Sequence, residues 1–267
     1  MPSVLVSKPE PGITQITLNR PDNLNTMNAE LVGELGDALT EINADRDCRV
    51  VILTGAGRGF CAGLDLKGYG DDESIRDQNR AMAGLDRQRA IAALALQLHQ
   101  LRQPVIAAVN GPAAGGGLAL VCASDVRIAA DPAIFAVSFI RAGFSACDIG
   151  VSWLLPRIVG AGQAHELMLT GRRFDSAEAH RIGLVTDVVG PDRLLDTVIA
   201  KAKEIMLNPP FSVELTKQGM WLALENPSFA GAVELENRQQ ILTSMTEDAR
   251  EASAAFLEKR APSYHRK

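Results

Sequence analysis

Two stretches of the chain place glycine where backbone could come close to a ligand. They are Gly59-Phe60-Cys61-Ala62-Gly63-Leu64-Asp65-Leu66 and Gly115-Gly116-Gly117-Leu118. The first follows the continuous apolar run Val50-Val51-Ile52-Leu53-Thr54, the second the run Val105-Ile106-Ala107-Ala108-Val109. Each run reads as a strand buried on both faces. Glycine exposes the N–H groups of such a loop, and a helix opening near Gly116 adds its own unpaired N–H groups and its dipole. Two loops of this kind side by side could direct two N–H donors at one oxygen. That is an oxyanion hole, suited to a thioester carbonyl passing through an enolate. Gly-rich turns after strands are also common without any such role. The phosphate alternatives fail on spacing, because the chain has no GxxxxGK[ST] and no GxGxxG followed by an acidic residue.

Other reactive side chains carry less. Cys48, Cys61, Cys122 and Cys147 form no CxxC pair, and no histidine stands at metal-ligand spacing from them, so they read as free thiols and no metal site is expected. Cys147 lacks a basic partner nearby in sequence, which a nucleophilic thiol needs. His99, His165 and His180 lie on helix-like stretches and read as structural or surface residues.

Composition narrows the class. The 267 residues suffice for one large domain or for a core with an appendage. The net charge of −5 comes without blocks of like charge, so a nucleic-acid partner has no electrostatic footprint. No apolar run reaches the length of a membrane span, and residues 1–9 show no signal-peptide pattern. A reducing, cytoplasmic setting is the default expectation.

The elements that would position the two loops can be read in outline. Strands are expected at 3–7 and 13–19 around the turn at Pro9-Glu10-Pro11-Gly12. Asn28 is expected to cap a helix to about Asn43 with Leu31, Leu35, Ala38 or Leu39, and Ile42 on its apolar face. Residues 68–89, with Asp71, Asp72, Glu73, Arg76 and Asp77, are polar and expected to be mobile, ahead of a helix over about 84–101. A helix is expected over 116–123, and short strands at 126–129, 134–137 and 184–189. Helices are expected at 163–169, 176–181, 192–207, 211–224, 229–243 and 246–259. Strands alternating with helices argue for an α/β core over residues 1–200, followed by a helical C-terminal region over 201–267.

Several segments in order and spacing resemble the enoyl-CoA hydratase/isomerase (crotonase) family over about residues 4–262. They are Asn19-Arg20-Pro21 with Leu24-Asn25, Val51 to Gly55, and Phe60 to Leu66. Pro104 to Gly111 with Gly115-Gly116-Gly117 follows, then Leu169-Thr170-Gly171, Ala177 to Val185, and Ala255 to Arg260. The resemblance implies a crotonase-like spiral of ββα units, assembled as a homotrimer or homohexamer through the C-terminal helices. It implies an acyl-coenzyme A partner whose CoA is part of the substrate, with no permanently bound cofactor. By position, the backbone N–H groups of Leu64 and Gly116 would form the hole. The stretches around Leu24 and Ala62 would touch adenine and pantetheine. Asp65, Leu66, Gly115 and Phe139 complete the implied binding set, with Asp65 more a loop-shaping side chain than an acid. Phe256 and Lys259 would reach a neighbouring subunit's site, against the reading of Lys259 as a solvated helix end.

The resemblance also exposes a departure. Hydratases of this family carry two glutamates, at positions that here are Ala119 and Phe139. Hydration needs a base for water and an acid for the α-carbon, and neither residue moves a proton. Ala146-Cys147-Asp148-Ile149-Gly150 resembles the segment of dienoyl-CoA isomerases that holds a catalytic aspartate, which makes Asp148 the candidate. Phe139, Phe144, Ile149 and Trp153 are expected around it. The competing reading has Asp148 capping the helix that begins near Val151. A single acid fits double-bond isomerisation better than hydration. Hydration of the kind used in fatty-acid catabolism, or acyl-CoA binding without chemistry, are the alternatives.

Overall fold

The computed structural model describes residues 1–66 and 80–266. Asp71, Asp72, Glu73, Arg76 and Asp77 lie outside the described residues. The chain opens with β1 (Val4–Glu10) and β2 (Ile13–Leu18), an antiparallel hairpin. Next comes α1 (Ala29–Ala44), whose Asn28 cap accepts a hydrogen bond from Leu31 N as the sequence suggests. Its face of Leu31, Leu35, Ala38, Leu39 and Ile42 is buried, and Val32 joins it. Each such Leu or Ile contributes about 1.5–3 kcal/mol through burial.

The strands β3 (Val50–Gly55) and β4 (Val105–Val109) are parallel, with Val51, Ile52 and Leu53 opposite Val105, Ile106 and Ala107. Between them runs α2 (Arg80–Gln100), which begins four residues earlier than the sequence pattern suggested. After β4 come β5 (Ala113–Ala114), α3 (Gly116–Ala123), β6 (Val126–Ala130) and β7 (Ile134–Ala136). A 3-10 turn follows at Ser138–Ala142, then α4 (Val151–Val159) and α5 (Ala161–Thr170). Next are β8 (Arg173–Asp175), α6 (Ser176–Arg181), β9 (Asp187–Val189) and α7 (Leu194–Met206). The chain ends in α8 (Pro210–Glu225), α9 (Phe229–Ser244) and α10 (Glu247–Glu258).

One six-stranded sheet runs β1-β2-β3-β4-β6-β9 and a second, three-stranded sheet runs β5-β7-β8. Two successive units give one strand to each sheet ahead of a helix, β4 and β5 before α3 and β6 and β7 before α4. This is the expected α/β spiral of ββα units. The short strands β5 and β8 were not expected, and β9 is three residues long where 184–189 had been read as strand. Two or three residues paired on a second sheet leave too little periodicity to read. One buried core fills the space between the sheets and α1 to α4, and a second lies between the large sheet and α7.

An ion pair buried to 4% on both sides joins the helical end of the chain to this core. Lys217 Nζ on α8 donates to Asp125 Oδ2 at 2.8 Å and to the carbonyls of Leu98 and Gln103, both at 3.0 Å. Asp125 Oδ1 accepts from Trp221 Nε1 at 2.8 Å, and Oδ2 also accepts from Val105 N at 2.7 Å. Every proton of the ammonium has an acceptor, which is the condition under which a buried pair is tolerated. His99 stacks beside Trp221 with ring centroids 4.3 Å apart. Burial first, and Lys217 second, push its imidazole below the usual histidine value. No helix among the described residues is long and apolar enough to cross a membrane.

Two outcomes follow from this clamp. Lys217→Met leaves Asp125 charged and buried, and should cost about 3–5 kcal/mol, read from the urea midpoint. Lys217→Met with Asp125→Asn should lose less than the single change. His99, with its lowered value in the folded state, contributes stability that is present above about pH 6.5 and lost as pH falls below it. His99→Gln should therefore flatten the fall of Tm below pH 6.5 relative to wild type.

Candidate functional site

The two glycine loops meet at backbone distance. Phe60 N and Cys61 N donate to Pro112 O at 3.1 and 3.0 Å, and Ala114 N donates to Cys61 O at 3.0 Å. A Cβ on Gly117 would lie 2.0 Å from Cys61 O, so only glycine fits there. Gly63, at φ +102°, passes over Ala114 in the same way. Asn25 ties the first loop from behind. Fully buried and left-handed at φ 56°, it donates to Ala56 O at 3.0 Å and Gly59 O at 2.7 Å and accepts from Arg20 N at 2.8 Å.

This contact leaves two donors side by side. Met27 N donates to Gly63 O and Asp65 N to Met27 O, which skips the N–H of Leu64. Gly116 is the first residue of α3, where N–H groups have no partner in the helix. No hydrogen bond between described residues uses Leu64 N or Gly116 N. Both residues line one cavity of about 620 Å³.

Its wall brings together Ala62, Leu64, Leu66, Gly115, Gly116, Phe139 and Asp148. Leu24 stands beside the wall, where its carbonyl accepts from Ala62 N at 3.0 Å. Asp65 is not on it. Its carboxylate lies 2.9 Å from Arg20, whose guanidinium also donates to Thr26, so the pair shapes the loop. Phe256 and Lys259 are exposed at the end of α10 and do not line the cavity. Phe139 packs its ring against Gly115. Ala119 is fully buried inside α3 and off the wall.

Asp148 is the one carboxylate among the described wall residues, and it is half-buried. The capping reading does not survive. The residue preceding α4 is Gly150, with no side-chain cap, and Asp148 Oδ1 accepts instead from Ile149 N at 2.8 Å and from Gln88 on α2. Ile149 adopts φ 46°, a region unfavourable for a β-branched residue. Phe144 and Ile149 line the cavity as expected. Trp153 does not. The helical turn carries it to the other side of α4, where it packs edge-on to His99 at 6.2 Å and under Arg157. Sequence reading missed Met27, Gln88, Ile91, Ser138 and Arg141 on the wall. Gln88 stands in a charged, polar run with no motif around it, so nothing local marks it.

Among the described residues, no three His, Cys, Asp or Glu side chains gather at metal-binding distance. Burial pushes the Cys61 and Cys122 thiols up to about 12 and raises Cys48. Cys147 is exposed on the cavity wall. An alkylating reagent should therefore label Cys147 first in the native protein. Cys147→Ser should remove that fast phase, as read by mass spectrometry.

A family model described as enoyl-CoA hydratase/isomerase matches residues 8–267. A probable enoyl-CoA hydratase of Mycobacterium tuberculosis is 42% identical over 260 residues, covering 97% of this chain and 91% of that protein. The 1,2-epoxyphenylacetyl-CoA isomerase of Escherichia coli is 37% identical over 265 residues, covering 99% of both. The crystal structure of a probable enoyl-CoA hydratase/isomerase from Mycobacterium abscessus superposes with a TM-score of 0.92 at 38% identity, covering 99% of each chain. That of an enoyl-CoA hydratase from Bacillus anthracis superposes at 0.91 with 35% identity, covering 99% of this chain and 100% of the other. With sequence and crotonase fold agreeing from end to end, the chain belongs to the enoyl-CoA hydratase/isomerase family.

Proposed function

We propose that the protein moves a double bond in an unsaturated acyl-CoA, with Asp148 as the group that carries the proton. The observation that carries this reading is the single carboxylate among the described residues of the cavity wall. The thioester oxygen accepts from Leu64 N and Gly116 N. Asp148 removes a proton from one carbon of the acyl chain, and the C–H electron pair passes into a dienolate whose charge rests on that oxygen. The same proton returns to another carbon, so the formula of the substrate is unchanged. One acid suffices for this shuttle, whereas hydration asks for two groups. One relative is named 1,2-epoxyphenylacetyl-CoA isomerase, a reaction on a CoA thioester other than hydration.

The remaining assignments belong to this proposal. CoA is bound as part of the substrate, with the stretches around Leu24 and Ala62 against adenine and pantetheine and Leu66, Gly115 and Phe139 against the acyl part. The helices after residue 200 form the contact of a homotrimer or homohexamer. Exposed Phe229, Ile241, Leu242, Met245, Phe256 and Leu257 support that role, and Phe256 and Lys259 then reach a neighbour's CoA. Four free cysteines suit a cytoplasmic protein.

Single-turnover assays with dienoyl, 3-enoyl and 2-enoyl thioesters test the reading. Isomerisation should be lost in Asp148→Asn, while a saturated acyl-CoA binds wild type and mutant alike by calorimetry. Rapid hydration of the 2-enoyl thioester, unchanged in Asp148→Ala, would overturn it in favour of a hydratase. Binding with no turnover of any substrate would mark a protein that only binds. Gly116→Pro tests the hole, since the first helical position accepts proline while the N–H is lost. Turnover should drop about 10²–10³-fold, and Gly116→Ala, which keeps the donor and asks only Met27 to move, should lose far less.

A further inference from the structure

The Asp148 carboxylate is held on one oxygen only. Gln88 Nε2, from α2, donates to Oδ1, and Ile149 N donates to the same atom at 2.8 Å. No hydrogen bond between described residues ends on Oδ2. Gln88 and Asp148 both face the cavity. Ile149 itself is turned to φ 46°, a conformation that is disfavoured for isoleucine and persists only where its surroundings enforce it.

We infer that Gln88 is a positioning residue that locks the Asp148 carboxylate through Oδ1 and so commits Oδ2 to the proton transfer. The inference rests on the reading of Asp148 as the proton carrier. An oxygen with two N–H donors is poorly placed to accept a proton from carbon, because its lone pairs are already engaged. Oδ2 is free to do so. When Oδ2 takes the proton, Oδ1 becomes the carbonyl oxygen of the acid and still accepts from both donors. The proton therefore arrives and leaves with no hydrogen bond remade around the carboxyl group, which keeps reorganisation small. The other ionisable side chains among the described residues of the wall are Arg141 and Cys147. Asp86, Arg87 and Arg89 flank Gln88 on α2, and α3 and α4 bring none to the wall.

Gln88→Leu and Gln88→Asn separate this role from packing. Isomerisation of a 3-enoyl or dienoyl thioester is followed across pH, with Asp148→Asn and calorimetry on a saturated acyl-CoA as controls. In Gln88→Leu, kcat should fall about 10- to 100-fold with KM nearly unchanged. Gln88→Asn keeps the amide on a shorter arm and should recover part of the lost kcat. Affinity for the saturated thioester should match wild type in each variant. If Asp148→Asn is inactive but Gln88→Leu keeps the wild-type kcat, the positioning role is overturned and the proton carrier stands. If Asp148→Asn turns over normally, both are overturned.

Discussion

The close passage of two strand-end loops is the constraint on which the rest depends. Cys61 O and Gly117 Cα are so near that no side chain fits between them, and the backbone bonds of Phe60, Cys61 and Ala114 close the contact. The sheet makes this possible because β3 and β4 are parallel neighbours, so both chains leave at the same edge. Once the loops are joined there, the start of α3 and the N–H of Leu64 share one cavity wall. The donor pair is thus a consequence of backbone packing, and Asn25 secures it from the side away from the cavity.

The acid reaches that wall by a different route. Asp148 lies in the approach to α4 and is held by α2 through Gln88, two helices that both pack on α3. The elements around them are in turn fastened to the helical end of the chain. Asp125, between α3 and β6, accepts from Lys217 and Trp221 on α8, and Lys217 also reaches the carbonyls of Leu98 in α2 and Gln103 beyond it. A buried pair of this kind contributes little net stability against an apolar replacement. Its effect here is to fix where α8 docks, because its three acceptors lie in different segments of the core.

At the two positions where the resemblance implies the carboxylates of hydratases, this chain has an alanine and a phenylalanine, and the two lie in different surroundings. Ala119 is sealed inside the core, so its side is simply apolar. Phe139 lines the cavity beside Gly115, so an aromatic ring shapes that part of the wall.

Sequence alone determined the local features of this protein. The Asn28 cap and the five-residue apolar face of α1, the buried strands at Val50 and Val105, and the helix opening at Gly116 were legible because caps, periodicity and glycine act within a few residues. The ordered motifs identified the family, and with it the positions of Leu64, Gly116 and Asp148. Tertiary structure alone decided which side chains meet. Gln88 contacts Asp148 across sixty residues of chain, and Trp153, five residues from that aspartate, faces His99 on the far side of its helix. The tie of Lys217 to Asp125 left no trace in spacing either. Such contacts depend on how elements dock, and docking is set by the summed packing of the whole core, which no short stretch of sequence contains.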